Sequence, residues 1–319
     1  MNGILELKNS TLVIIIIGLF LCNGCKEKPL KEMINTSTEA KTNIRFATKT
    51  DGYKEKASFN RLTTDKTEIT STQFQMEGPA WENENVAFRN YFDARNGIDI
   101  YGKRTAEMVL DSVGIDENYH ELQDWGMDIL KVGNSLGAGA IGMIIGDSLY
   151  RVGVGAEGSF RIIEEGPKSS TLEFIFRNWK VLDRNYNISH IIRINSGTHY
   201  YEGNIKVEDL KGDETLVTGI VDHGVGITEF KTDKYTIIST HGNQDVEGER
   251  LGMAIAVAND NFAKTDEASN YDGAVDKTHL VHLNGKDLTY KFFVGWELQD
   301  DQFKSKDLFE EMVNQELSK

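Results

Sequence analysis

Two guanidiniums, a phenol and a carboxylate alternate along Arg89, Tyr91, Asp93 and Arg95. If Val86 to Arg95 is a strand, successive side chains point to opposite faces. These four then share one face, while Val86, Phe88, Phe92 and Ala94 share the other. Arginine grips carboxylate or sulfate through paired hydrogen bonds, so the row reads as a polar groove for an anionic ligand. It reads equally as a cross-strand ladder of ion pairs on a solvated face. Spacing leaves both open. His120, Asp124 and Asp128 recur at intervals of four, on one face of either a helix or a strand. Lys131 follows closely, and Trp81 and Trp125 are indoles able to meet a sugar ring. His223, in Val221-Asp222-His223-Gly224, is either a base facing this set across a groove or a turn histidine. His120, Asp124, Asp128 and His223 are also of ligand type for zinc or calcium. No HExxH or EF-hand loop accompanies them, so no cofactor is expected.

The elements that would position these groups are mostly β. Candidate strands are 149–154, 159–163, 171–176, 189–194, 199–207, 216–221, 235–239, 253–257, 280–283 and 289–298, with Gly, Asn, Asp and Lys between them. That rhythm suits an antiparallel β-sandwich rather than βαβ units. Two helices are expected. One spans 105–113; the other spans 304–316, with Leu308, Phe309, Met312 and Val313 at helical spacing, and closes the C-terminal end. The glycine-rich run 137–153 lacks the Lys-Ser/Thr of a phosphate loop and reads as close approach between strands. One domain is expected over residues 44–319.

The N-terminus reads as an address. Residues 12–22 form an apolar run too short to span a bilayer and right for a signal peptide over 1–24. A small residue, Gly24, precedes Cys25, which resembles a lipobox. Cys25 would carry the lipid that holds the protein to the cell envelope, at the outer membrane, with residues 25–43 as a tether. The chain has two Cys, Cys22 and Cys25, so the mature domain has no thiol for disulfide, nucleophile or zinc ribbon. A net charge of −15 argues against nucleic acid as a partner. It also means that an acidic substrate must meet a locally basic pocket, for which Arg89, Arg95, Lys103 and Lys131 are nearest in sequence.

The blocks Gly78-Pro-x-Trp-Glu-Asn with Arg89, Gly97-Ile-Asp-Ile with Lys103, and Tyr119-His120…Gly126-x-Asp128 with Gly133 and Leu136-Gly-Ala-Gly139 resemble a lipoprotein family of polysaccharide-utilisation systems. That family was long catalogued as a domain of unknown function, and it includes an ulvan oligosaccharide dehydratase. The resemblance covers roughly Arg45 to the C-terminus. It implies a sandwich related to the galactose-mutarotase and polysaccharide-lyase supersandwich. It also implies an enzyme that removes water from a non-reducing-end uronic acid to leave a 4,5-unsaturated sugar. Such a reaction needs neutralisation of the sugar carboxylate, a base for the C5 proton and an acid for O4. Arg89 is expected at the carboxylate, and His120 as base or acid with Tyr91, Lys131 and His223 as partners. Trp81, Asp93, Arg95, Asp124, Trp125 and Asp128 are expected to hold substrate. A non-catalytic glycan-binding lipoprotein and a polysaccharide lyase or epimerase on the same fold remain alternatives.

Overall fold

The computed structural model describes residues 41–61, 73–115, 118–285 and 287–319. The expected signal peptide, Cys25 and most of the expected tether lie outside the described residues. The described residues from 41 onward belong to one compact unit, and its first strand begins at Thr42, inside the stretch expected to be tether.

Three sheets make a sandwich-like β fold. The nine-stranded sheet has the order Ile227–Lys231, Tyr235–Asn243, Arg250–Ala258, Asp287–Trp296, Tyr200–Glu208, Arg184–Asn195, Ser169–Val181, Glu157–Glu165, Ser58–Arg61. The six-stranded sheet runs Phe262–Glu267, Thr278–Leu283, Glu214–Val221, Ala138–Ile145, Ser148–Arg151, Asp272–Gly273. The five-stranded sheet runs Thr42–Arg45, Ala80–Asn83, Ala87–Asn90, Ile98–Lys103, Gly126–Asp128. Among the described residues pairing within the sheets is antiparallel apart from the short parallel contact of Asp272–Gly273 with Ser148–Leu149, and a single parallel bridge links Ile98 to Gly137. All ten expected strands are present. Ala138–Ile145, read from sequence only as a close approach, is itself a strand, and the approach is real: a Cβ on Gly139 would strike the Tyr201 hydroxyl and the Phe292 ring.

One apolar core joins the three sheets. Met253, Ile255 and Val257 point into it with Phe292 and Tyr201, while the alternate residues Ala254, Ala256, Phe293 and Tyr200 point outward. This outer face is covered by the C-terminal helix α1, Lys306–Leu317, through Phe309, Met312 and Val313. Ser305 caps it by accepting from Leu308 N at 3.3 Å. Leu308, expected on the buried face, is 43% exposed.

The expected helix over 105–113 is absent, and these residues form turns instead. The cause is local. The buried carboxylate of Glu82 accepts from Val109 N and Leu110 N, each at 2.9 Å, and the Gln75 amide donates to the carbonyls of Leu110 and Val113 at 3.1 and 2.7 Å. Side chains have taken the backbone groups that a helix would pair internally.

Candidate active site

The five-stranded sheet turns Ile44, Trp81, Phe88, Ile100 and Met127 toward the common core. Its other face carries charge. Register places Ala80, Arg89 and Asp99 in one cross-strand row, and Glu82, Ala87, Tyr101 and Asp128 in the next. Gly102, on the inward side, is required by packing: a Cβ there would run into the Trp296 ring. The charged face is covered by Val109, Leu110, Val113, Tyr119 and Trp125, not by solvent. Both open readings of the Arg89 row therefore need correction, because the ladder exists but is buried.

The Val86–Arg95 stretch is not one strand. Pairing stops at Asn90, and residues 92–95 form a turn in which Arg95 N donates to Asp93 Oδ1 at 2.7 Å. The row still converges in space. Arg89 and Arg95 stack on the Tyr91 ring at 4.2 and 3.7 Å.

Arg89 is the hub. Its guanidinium meets Asp99, Asp128 Oδ2 at 3.2 Å, Glu77 Oε2 at 3.3 Å and the Tyr91 hydroxyl at 2.7 Å. It also donates to Met76 O at 3.2 Å and to the Tyr119 hydroxyl at 3.5 Å. It is fully buried. The expectation that it grips a substrate carboxylate is therefore corrected: its two terminal nitrogens are taken up by groups of the protein, and its Nε, which has no hydrogen bond, is buried away from any ligand. Met76 and Glu77, which supply two of these contacts, have φ of 53° and 65°. Two consecutive non-glycine residues in the left-handed region store strain, held here by the surrounding bonds. The next residue must be glycine for a different reason, since a Cβ on Gly78 would overlap the Asn90 carbonyl.

Of the carboxylates around Arg89, Asp99 is the one whose protonation is displaced. Burial, then the charge of Asp128, pushes Asp99 up to about 7 despite Arg89. Burial raises the Tyr91 phenol well above its ordinary value, and raises Tyr119 while Arg89 opposes the change. At the edge of this cluster stands His120, its side chain 61% exposed, with Nδ1 3.4 Å from Asp128 Oδ2 and its ring 4.2 Å from that of Tyr119. The contact with Asp128 raises its pKa. The two meet because Asp128 N donates to Tyr119 O at 2.8 Å, which folds residues 118–125 back on the sheet edge. A regular helix or strand does not bring them together, and Asp124 stays exposed and takes no part. A cleft of about 250 Å³ opens here, lined by Lys49, Met76, Glu77, Tyr119 and His120 among others.

Other expected site residues fall elsewhere. Trp81 is fully buried against Phe88, Phe174 and Tyr201, so it belongs to the core and cannot stack on a sugar. Trp125 is half-buried, edge-on to Tyr101 at 6.1 Å. Asp93 is buried and accepts from Arg95 at 2.6 Å, so it anchors that arginine rather than a ligand. Lys103 is enclosed with Glu82 at 2.7 Å and is a structural ion pair. Lys131 and His223 line a different, larger cleft of about 590 Å³ with Asp222, Asp276 and Lys277. His223, lowered by burial and then by Lys131 and Lys277 against the pull of Asp222, has its partners there and not beside His120. Sequence reasoning missed Glu77, Asp99, Tyr101 and Tyr119. Only the position of Tyr119 beside His120, and of Asp99 within Gly97-Ile-Asp-Ile, hinted at them.

These features define a mostly antiparallel β-sandwich protein with a C-terminal helix and a charged, half-enclosed site on one small sheet. The chain belongs to the domain of unknown function family DUF4861, whose model matches residues 24–319. A search of curated proteins returns no match. Among solved structures the chain is similar to an alpha-mannosidase from Enterococcus faecalis V583, at 8% identity and a TM-score of 0.40, over 86% of this chain and 40% of that one. The chain thus spans less than half the length of that protein.

Proposed function

We propose that the protein is an oligosaccharide dehydratase of anionic, ulvan-type polysaccharide breakdown, held at the cell envelope by lipid on Cys25. It acts on a non-reducing-end uronic acid. The observation that carries this reading is the His120–Asp128 pair at the mouth of the 250 Å³ cleft, beside the Tyr119 phenol. An imidazole oriented by a buried carboxylate, with a second proton-bearing group next to it, is the arrangement that elimination requires and that simple binding does not.

With Nδ1 on Asp128, Nε2 is the ring nitrogen left to meet a substrate. Neutral His120 takes the C5 proton. The electron pair forms the C4=C5 bond, the C4–O4 bond breaks, and Tyr119 delivers the proton with which O4 leaves as water. Burial keeps that phenol protonated, and Arg89, 3.5 Å away, eases its transient loss of a proton. Arg89 in this reading is a positioning residue. Lys49 lines the same cleft and brings positive charge to the sugar's carboxylate.

The test uses the full chain with oligosaccharides ending in a saturated uronic acid, followed by ultraviolet absorbance and product mass. Loss of one water at unchanged chain length is expected. Absorbance with chain shortening would make the protein a lyase. Binding by calorimetry with no product would make it a glycan-holding lipoprotein. Because Asp128 raises the pKa of His120, Asp128→Asn should move the rise of rate with pH to lower pH.

A further inference from the structure

We propose that the 590 Å³ cleft at one end of the six-stranded sheet binds an oxyanion, carboxylate or sulfate, carried on a sugar residue, apart from the His120 cleft. The choice of a sugar rests on the anionic-glycan reading above; the oxyanion does not. Three loops build the cleft. They are residues 131–137 before Ala138–Ile145, residues 222–226 after Glu214–Val221, and residues 274–277 before Thr278–Leu283. The three strands are neighbours, and Ile220 is level with both Ala138 and His279, so the loops emerge together. Cross-bonds fix them. Asp222 N donates to Lys277 O at 2.6 Å, Asp276 N to Asn134 O at 3.2 Å and Val221 N to Gly137 O at 2.9 Å. The buried Arg151 also donates to Asn134 O. The cleft is therefore formed in advance of a ligand. Its volume falls within the roughly 300–1,000 Å³ of small-molecule sites and exceeds what a bare anion fills.

The charge in the cleft shows what it takes. Lys131 and Lys277 line it from two different loops, and neither ammonium has an ion-pair partner among the described residues. Both act on the His223 imidazole in the third loop. Neither carboxylate in the lining pairs with them. Asp222 is turned back on its own loop, where Oδ1 accepts from Gly224 N at 2.7 Å and faces His279 Nε2 at 3.4 Å, while Asp276 lies in the field of Arg151. In a chain of net charge −15, unpaired cations gathered at one cleft are free to meet an anion. An ammonium does so as a point charge with three donors. Lys277 adds an independent sign. Its φ is 42°, in the left-handed region that a lysine adopts only at a cost. The backbone there favours glycine, and the chain places an ammonium instead. His223 links the site to pH. Burial, then Lys131 and Lys277, lower its pKa against the pull of Asp222, and its enclosed Nε2 has no hydrogen bond. An anion seated by the two lysines offsets their charge, so the ring takes up a proton and binding strengthens as pH falls.

The test titrates the full chain by calorimetry at low salt with glucose 6-sulfate, glucuronic acid, glucose and inorganic sulfate. Binding is read without turnover, so failure of the dehydration assay and failure here are separate results. The two charged sugars should bind and glucose should not. Lys277→Gly should weaken binding of glucose 6-sulfate about tenfold while keeping Tm within about 3 °C of the parent, because it removes the ammonium and eases the left-handed backbone. Lys131→Gln should weaken it similarly, and Lys49→Gln, in the other cleft, should leave it unchanged. Affinity for glucose 6-sulfate, which stays ionised throughout, should rise about threefold between about pH 7 and pH 5, and His223→Gln should remove that rise. Charged sugars bound no better than glucose would overturn the proposal, as would parental affinity in Lys277→Gly. Inorganic sulfate bound as tightly as glucose 6-sulfate would show a site for the free anion only, and would overturn it too.

Discussion

The nine-stranded and five-stranded sheets each turn one face to the common core and have part of the other covered, but with opposite chemistry. Over the large sheet, α1 lays Phe309, Met312 and Val313 on Ala254, Ala256 and Phe293. Over the small sheet, turns lie on Arg89, Asp99, Tyr101, Asp128, Glu82 and Lys103. The first cover stabilises by removing apolar area from water. The second buries charge, which costs desolvation and brings no certain net gain. Strain at Met76 and Glu77 and the raised pKa of Asp99 gather on the second side only. Apolar cover can be assigned to folding, whereas a buried, strained, partly protonated cover marks the part of the molecule shaped by another requirement.

Four substitutions test that contrast, from the largest effect on stability downward. Arg89→Ala should cost about 3–5 kcal/mol in urea unfolding, because Asp99 and Asp128 are left buried without their cation. A cost below about 1 kcal/mol would show that the charged cover is not held by Arg89. Phe309→Ala should cost about 3 kcal/mol by the same measurement, through lost burial and a cavity. Turnover per folded molecule should be unchanged, and a fall in turnover would break the division between the two faces.

Asp99→Asn sharpens the comparison through pH. A native pKa of about 7 against 3.8 means that the folded state keeps a proton that the unfolded chain has released. The contribution is therefore fully present below about 4 and is lost as pH rises through 7. Tm profiles of the parent should show this fall, and the variant should flatten it across the interval. His120→Gln should change stability least, by under about 1 kcal/mol, since the imidazole is mostly exposed. It should nevertheless reduce turnover about 10²–10⁴-fold in the absorbance assay. Retained turnover would remove His120 from the proton transfers.

The same contrast explains what the sequence made legible. Strands of the large sheet alternate bulky apolar residues between turn residues, and α1 has its apolar residues at helical spacing, so periodicity finds both. Ala80–Asn83 and Ile98–Lys103 are buried on both faces and mix charge with apolar residues, so no alternation marks them. Val109, Leu110 and Val113 have helical spacing, but Glu82 and Gln75 capture their backbone groups from far along the chain. Local pattern does not encode that capture. The same holds for the site. The residue types at Arg89, His120 and Asp128 were legible, but the enclosure of Arg89 depends on Asp99 in register opposite it and on the return of residues 118–125.

The four tryptophans are unevenly placed. Trp81, Trp179 and Trp296 are at most 1% exposed, whereas Trp125 is half-buried in the cover over the charged face. Three indoles thus emit from dry surroundings and form a steady blue-shifted background. The fourth sits a few residues from His120 and next to Tyr101. Iodide quenching and spectral shifts in the unmodified protein should then report almost solely on this cover, making the chain its own fluorescent sensor for whatever enters the cleft.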